Sequence, residues 1–130
     1  MEAASERTKL LILDDQLAYV RSLERVLRAD YDVFGVTSIA EAEKAALPET
    51  FAALVDIRLD EKEPGNRDGL KFIGWLHEQH PAIVPIAMSA LEDPDLEGEA
   101  VASGAAMFLQ KPVRVSELKE ILRKLLRERS

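Results

Sequence analysis

Five short apolar runs alternate with longer segments whose apolar residues recur at helical spacing. That alternation restricts the chain to an α/β fold in which helices cover both faces of a parallel sheet, a doubly wound, three-layer arrangement. Lys9–Asp14 reads as the first strand because it is a continuous apolar run, the signature of a strand buried on both sides. Val20, Leu23, Val26 and Leu27 line one face of the helix that follows, and Arg21, Glu24, Arg25 and Arg28 take the rest of its surface. Tyr31–Val36 is the second strand. Ser38 and Glu41 form a capping box at the start of the second helix, which Pro48 closes. Phe51–Asp56 is the third strand, and the polar stretch Asp60–Arg67 reads as a long loop. Gly69–His80 is a third helix with Leu70, Ile73 and Leu76 inward, stopped by Pro81. Ile83–Ser89 is the fourth strand, although Pro85 lacks a ladder donor and places the start of regular pairing at Ile86. Glu92–Ser103 is an acidic fourth helix with Pro94 in its first turn. Met107–Gln110 is the fifth strand. Ser116 caps a last helix whose Leu118, Ile121, Leu122, Leu125 and Leu126 fall on one face.

The 130 residues fit a single domain spanning 9–129 behind a flexible tail of residues 1–8, and 47% apolar with 32% charged residues is the balance of an ordinary globule. A net charge of −7 opposes attraction to nucleic acid or anionic membrane, so neither is an expected partner. The lack of cysteine removes disulfides, thiolate metal sites and cysteine nucleophiles. No leader-like segment or membrane-length apolar run occurs, and a cytoplasmic location is the default expectation.

Chemistry gathers at the strand ends. Asp14 and Asp15 follow the first strand, Asp56 ends the third, Ser89 ends the fourth, and Lys111 follows the fifth. Ligands of such folds bind outside the carboxyl ends of the strands. If the first and third strands are neighbours, three carboxylates converge, and each bare pair repels by about 4 kcal/mol at 4 Å and an effective dielectric near 20. A divalent cation removes that cost, and an all-oxygen donor set suits Mg²⁺. A carboxylate can attack phosphorus when metal and cationic groups neutralise the phosphoryl oxygens. Asp56 is the best-placed nucleophile, Lys111 can offer an ammonium and Ser89 a hydroxyl donor. A single aspartate at a strand end is ordinarily a cap or a turn residue. The joint set at four strand ends has no comparable structural explanation. His77 and His80, near the end of the third helix, read as surface residues, and Trp75 as partly buried packing.

On these motifs the chain resembles the receiver domains of two-component response regulators, from Lys9 to the last helix. The pattern is an acidic pair after the first strand, an aspartate ending the third, Ser or Thr ending the fourth and Lys-Pro after the fifth. The resemblance implies a flavodoxin-like (CheY-like) fold with strand order 2-1-3-4-5, and Asp56 as phosphoacceptor. It also implies Mg²⁺ held by Asp15, by Asp56, by Asp14 mainly through water, and by the backbone carbonyl of Arg58. Ser89 and Lys111 would hold the phosphoryl group, Phe108 would be the switch aromatic, and the Lys111-Pro112 peptide would be cis. The implied partners are a histidine kinase or histidine phosphotransfer protein, a downstream protein, and a second copy of the chain meeting through the fourth helix, fifth strand and fifth helix. A receiver catalyses only its own phosphotransfer and dephosphorylation. The chain ends one residue past the last helix, so the expectation is a stand-alone regulator, or else an excised domain.

One departure is conspicuous. The family usually places a proline four residues and a glycine eight residues after the phosphoacceptor, whereas Pro64 and Gly69 lie further on here, an insertion of about five residues. Arg58 and Leu91 occupy positions that tune dephosphorylation. Two rivals follow: a phosphorylation-independent docking module, which the insertion favours, and an aspartyl-nucleophile phosphatase, which the adjacent Asp14-Asp15 and the short chain disfavour.

Overall fold

The computed structural model describes residues 7–60 and 62–129. Five parallel strands, β1 (Lys9–Leu13), β2 (Asp32–Val36), β3 (Thr50–Asp56), β4 (Val84–Ser89) and β5 (Met107–Gln110), form one sheet in the order β2-β1-β3-β4-β5. Between and after them run α1 (Leu17–Leu27), α2 (Ile39–Ala45), α3 (Asp68–Gln79), α4 (Leu96–Ser103) and α5 (Val115–Arg129). This is the doubly wound architecture and strand order expected from the sequence.

Two cores lie on opposite faces of the sheet because successive strand side chains point to opposite sides. Leu11 and Leu13 join Ala42, Phe72, Ile73, Leu76, Leu96 and Ala100, which come from α2, α3 and α4. Leu10 and Ile12 join Val20, Leu23, Leu27, Leu118 and Leu122 from α1 and α5. The order of the sheet puts β1 and β3 side by side at its centre. The chain leaves those two strands in opposite lateral directions, and such a point opens a crevice at the strand ends.

Several local expectations are corrected. Glu24 is not on the helix surface but buried at 9% exposure, where its carboxylate accepts from the backbone N–H of Gly35 at 3.2 Å in the edge strand β2. Pairing of β4 begins at Val84 rather than Ile86: Val84 and Pro85 sit opposite Ala52 and Ala53. The reason is directional. The carbonyl of Pro85 accepts from Ala106 on the β5 side, so the missing N–H falls on that same side, one step below the first β4–β5 pair, Ile86 with Met107. The α4 helix starts at Leu96, not Glu92, and Pro94 precedes it. Asp93 accepts from the backbone N–H of Asp95, a local turn that competes with helix. Ser116 lies within the first turn of α5, where the carbonyl of Arg114 accepts from Leu118. Ser38 does cap α2, accepting from Glu41 N–H at 3.2 Å, while the Glu41 carboxylate reaches back to Thr37. Of the expected tail, residues 1–6 lie outside the described residues, and the Thr8 carbonyl accepts from Asp32 at 2.9 Å.

Two glycines fix the geometry near functional segments. Gly104 ends α4 with φ of 119°, a left-handed turn that a side chain resists. Gly69 lies where the first turn of α3 rests on the end of β3. A Cβ there would collide with the backbone of Asp56 and Ile57, and Gly69 N–H donates to the Ile57 carbonyl at 2.9 Å. Gly69→Ala is therefore expected to lower stability by about 2 kcal/mol, as overpacking against backbone does, read as a lower urea midpoint. An unchanged midpoint would show that α3 does not pin Asp56.

Candidate functional site

Asp14 follows β1 directly and is fully buried. One carboxylate oxygen accepts from Gln16 N–H at 2.9 Å and the other faces the Lys111 ammonium at 2.5 Å. Asp56, the last residue of β3, is 6% exposed and lies 3.4 Å from the same ammonium. Oxygens of Asp14, Asp15 and Asp56 all come within 4.8 Å of one another. A small cleft of about 40 Å³ lies above them, lined by Asp15, Gln16, Asp56, Arg58, Ser89, Ala90, Leu91 and Lys111. Residues from all four strand ends named in the sequence thus meet at one end of the sheet. Lys111 is placed there by its backbone N–H, which donates to the Ser89 carbonyl at 2.8 Å, and the Lys111-Pro112 peptide is cis.

The electrostatics follow from that crowding. Burial, then the charge of Asp14, push the Asp56 carboxyl up to about 7 against the opposing pull of Lys111. Burial works against the Lys111 charge, but its hydrogen bond to Asp14 and the charges of Asp56 and Asp14 outweigh it, and its pKa rises. The Lys111 ammonium is shared between Asp14 and Asp56. Three carboxylates with oxygens this close form an all-oxygen set that fits a hard divalent cation such as Mg²⁺. These residues fit the metal.

Ser89 is buried at 1% exposure, and its hydroxyl oxygen accepts from Leu91 N–H at 3.0 Å, which leaves the hydroxyl hydrogen to be donated elsewhere. Gln110 donates from its side chain to the Leu91 carbonyl at 3.3 Å, so the segment after β4 is held at both ends. Phe108 pairs with Ala87 in register and is half-buried against the core on the α2–α4 face. His77 is exposed. His80 packs beside the Trp75 ring, 5.4 Å between centroids, away from the carboxylates.

The described residues of the long loop do not line the cleft. Its described part folds around Asn66, whose side chain accepts from Leu59 and Asp68 N–H at 3.0 and 3.1 Å and donates to Glu63 and Asp68; Glu61 lies outside the described residues. At its end, Arg67 forks between Asp93 at 2.9 Å and Glu99 at 2.8 Å, tying the loop to α4 and the turn before it. Asp93 holds the Arg67 guanidinium pKa above its ordinary value. Sequence reasoning missed Arg67 and also Tyr19, whose ring lies 4.3 Å from the Lys111 ammonium. Tyr19 sits one turn after Asp15, and a helix leaving the end of a central strand necessarily sets its first turn beside that strand's site. That placement was the available signal.

A family model described as the response regulator receiver domain matches residues 10–123. The chain belongs to the response regulator receiver family. It is 32% identical over 127 residues to the response regulator protein PilR of Pseudomonas aeruginosa, covering 95% of this chain and 27% of that protein. It is 30% identical over 122 residues to the two-component response regulator ARR12 of Arabidopsis thaliana, covering 93% of this chain and 20% of that one. The match thus spans about a quarter of the length of the first and a fifth of the second. Among solved structures, a CheY-like receiver domain protein from Methanospirillum hungatei superposes with a TM-score of 0.82 at 24% identity, covering 95% of this chain and 96% of that one. The beryllofluoride-activated NtrC4 receiver domain dimer does so at 0.79 and 26% identity, covering 94% and 98%. Among the described residues of this receiver no helix is long and apolar enough to cross a membrane.

Proposed function

We propose that this receiver accepts a phosphoryl group on Asp56 from a histidine kinase or histidine phosphotransfer protein and passes the change to its α4-β5-α5 surface. The observation that carries the reading is the buried Asp56 carboxylate, 3.4 Å from Lys111, opening into a cleft shared with Asp15 and Ser89. A carboxylate oxygen of Asp56 forms a bond to phosphorus as the donor's P–N bond breaks, and the freed imidazole nitrogen takes up a proton. Lys111 offers its ammonium, and Ser89 its free hydroxyl hydrogen, to the phosphoryl oxygens. Asp15, Asp56, Asp14 and the Arg58 carbonyl would hold Mg²⁺, which supplies charge neutralisation for the transfer. The protein acts on itself and turns over no separate substrate.

Switching is a population shift. Ser89 cannot follow a phosphoryl oxygen without loosening its bond to Leu91 N–H, and Phe108 on the next strand packs against the same core as α4. The insertion gives the docking-module rival little support, because the cleft is lined by other residues. Intact-mass spectrometry after incubation with acetyl phosphate tests the reading. A single phosphoryl adduct is expected with Mg²⁺ and none with EDTA. No adduct in either, with beryllofluoride also without effect, would favour constitutive docking.

The same face suits a second copy. The α4 helix carries Glu97 and an exposed Val101, whereas α5 carries Lys124, beside Met107 of β5, and Arg127. A two-fold axis would set acidic α4 against basic α5. The expected result is a shift from monomer to dimer in sedimentation on adding beryllofluoride and Mg²⁺, weakened by salt. A monomer throughout, well above micromolar concentration, removes the dimer.

A further inference from the structure

We propose that Tyr19 is a positioning residue for Lys111, its ring face holding the ammonium at the site independently of the carboxylates. The inference rests on the reading that Asp56 is the phosphoacceptor and deepens it. Lys111 reaches the site on a flexible four-carbon arm, and its ammonium has three neighbours: Asp14 at 2.5 Å, Asp56 at 3.4 Å and the Tyr19 ring at 4.3 Å from the centroid. The first two are the carboxylates that the site's chemistry needs for other work. Asp56 is consumed as nucleophile, and Asp14 belongs to the cluster that fits a divalent cation. When those contacts are given up, the ring is the neighbour whose attraction survives. Tyr19 is not among the residues lining the cleft, so it acts only through Lys111.

Two details favour this role over plain packing. The Tyr19 hydroxyl is buried and has no hydrogen-bond partner among the described residues. It contributes no polar contact that would explain a tyrosine, and leaves the π face as the functional part. Burial pushes the phenol pKa above its ordinary value. Lys111 pulls it back, and Asp14 and Asp56 add to the rise, so the ring stays neutral over the working range of the site. A neutral aromatic face attracts a partly desolvated ammonium.

The test compares wild type, Tyr19→Phe and Tyr19→Leu. In the metal-free proteins, the Lys111 ε-methylene protons, assigned with Lys111→Arg, are expected to be shifted upfield by the ring in wild type and Tyr19→Phe and to lose that shift in Tyr19→Leu. At saturating Mg²⁺, acetyl phosphate should label Tyr19→Leu about tenfold more slowly, the weight of one partly desolvated cation–π contact, and Tyr19→Phe within about twofold of wild type. Should the leucine variant not fold, Tyr19→Met keeps the bulk without the π face and serves in its place. Labelling of the aliphatic variant at the wild-type rate, a phenylalanine variant as slow as leucine, or no upfield-shifted Lys111 in wild type overturns the tyrosine's role. A wild type that takes up no phosphoryl group overturns the phosphoacceptor reading, and this proposal with it.

Discussion

The Asp56→Asn protein is expected to gain no phosphoryl mass from acetyl phosphate and Mg²⁺ under conditions that label wild type fully. The amide removes the carboxylate proposed as the nucleophile while keeping the volume at the end of β3. Neither neighbouring carboxylate is equivalent. Asp14 is fully buried, with one oxygen on Gln16 N–H and the other on Lys111. Asp15 lines the cleft, but on the β1 side, whereas Lys111 and Ser89 approach from β5 and β4. Lys111 lies 3.4 Å from Asp56, where it can steady a phosphoryl group on that residue. Circular dichroism should show the fold retained. An adduct forming on the asparagine protein at the wild-type rate would move the phosphoacceptor elsewhere and sink the assignment.

The second large effect is in stability. The Asp56 carboxyl, pushed up to about 7 from 3.8, keeps its proton in the native state over a range where the unfolded chain has lost it. Between about pH 4 and pH 7 the native protein binds the extra proton, so stability falls as pH rises. Above 7 the native carboxylate is ionised beside Asp14 and Asp15 and the loss is complete. A displacement of about three pH units, at about 1.4 kcal/mol each, amounts to roughly 4 kcal/mol. In EDTA the melting temperature should therefore drop on the order of 10 °C from pH 5 to pH 8. Mg²⁺ should do little at pH 5 and recover much of the loss at pH 8, since a hundredfold excess over its dissociation constant adds about 2.7 kcal/mol. Asp56→Asn should flatten the metal-free profile. A flat wild-type profile in EDTA would mean that burial and the charge of Asp14 do not raise the Asp56 carboxyl in the native state.

The strands were legible because each is a continuous apolar run, and the strand ends because polar residues broke those runs abruptly at Asp14, Asp56 and Ser89. What escaped depended on partners distant in the chain. Glu24 looked like surface because charge usually is. Nothing local announces that Gly35, eleven residues on, presents an N–H for it in an edge strand. The sequence shows that Pro85 lacks a donor but not which neighbouring strand that donor would have faced, here the β5 side. The early start assigned to α4 took Pro94 as a first-turn residue, while Asp93 was in fact committed to Asp95 on one side and Arg67 on the other. The candidate site residues were readable as types at strand ends. The neighbour that lies against Lys111, the Tyr19 ring, belongs to a surface brought to it only by the completed sheet.

The ion pair between Lys111 and Asp14 joins positions 97 apart in the chain. As a ribosome makes this protein, Asp14 emerges well before Lys111, which is not synthesised until all five strands of the sheet have been made. Until then the first acidic pair of the site has no Lys111 to answer it, and the crevice lacks the strand that brings the lysine in. A nascent or truncated chain that stops short of β5 therefore carries Asp14 and Asp56 without the Lys111 ammonium that pairs with both.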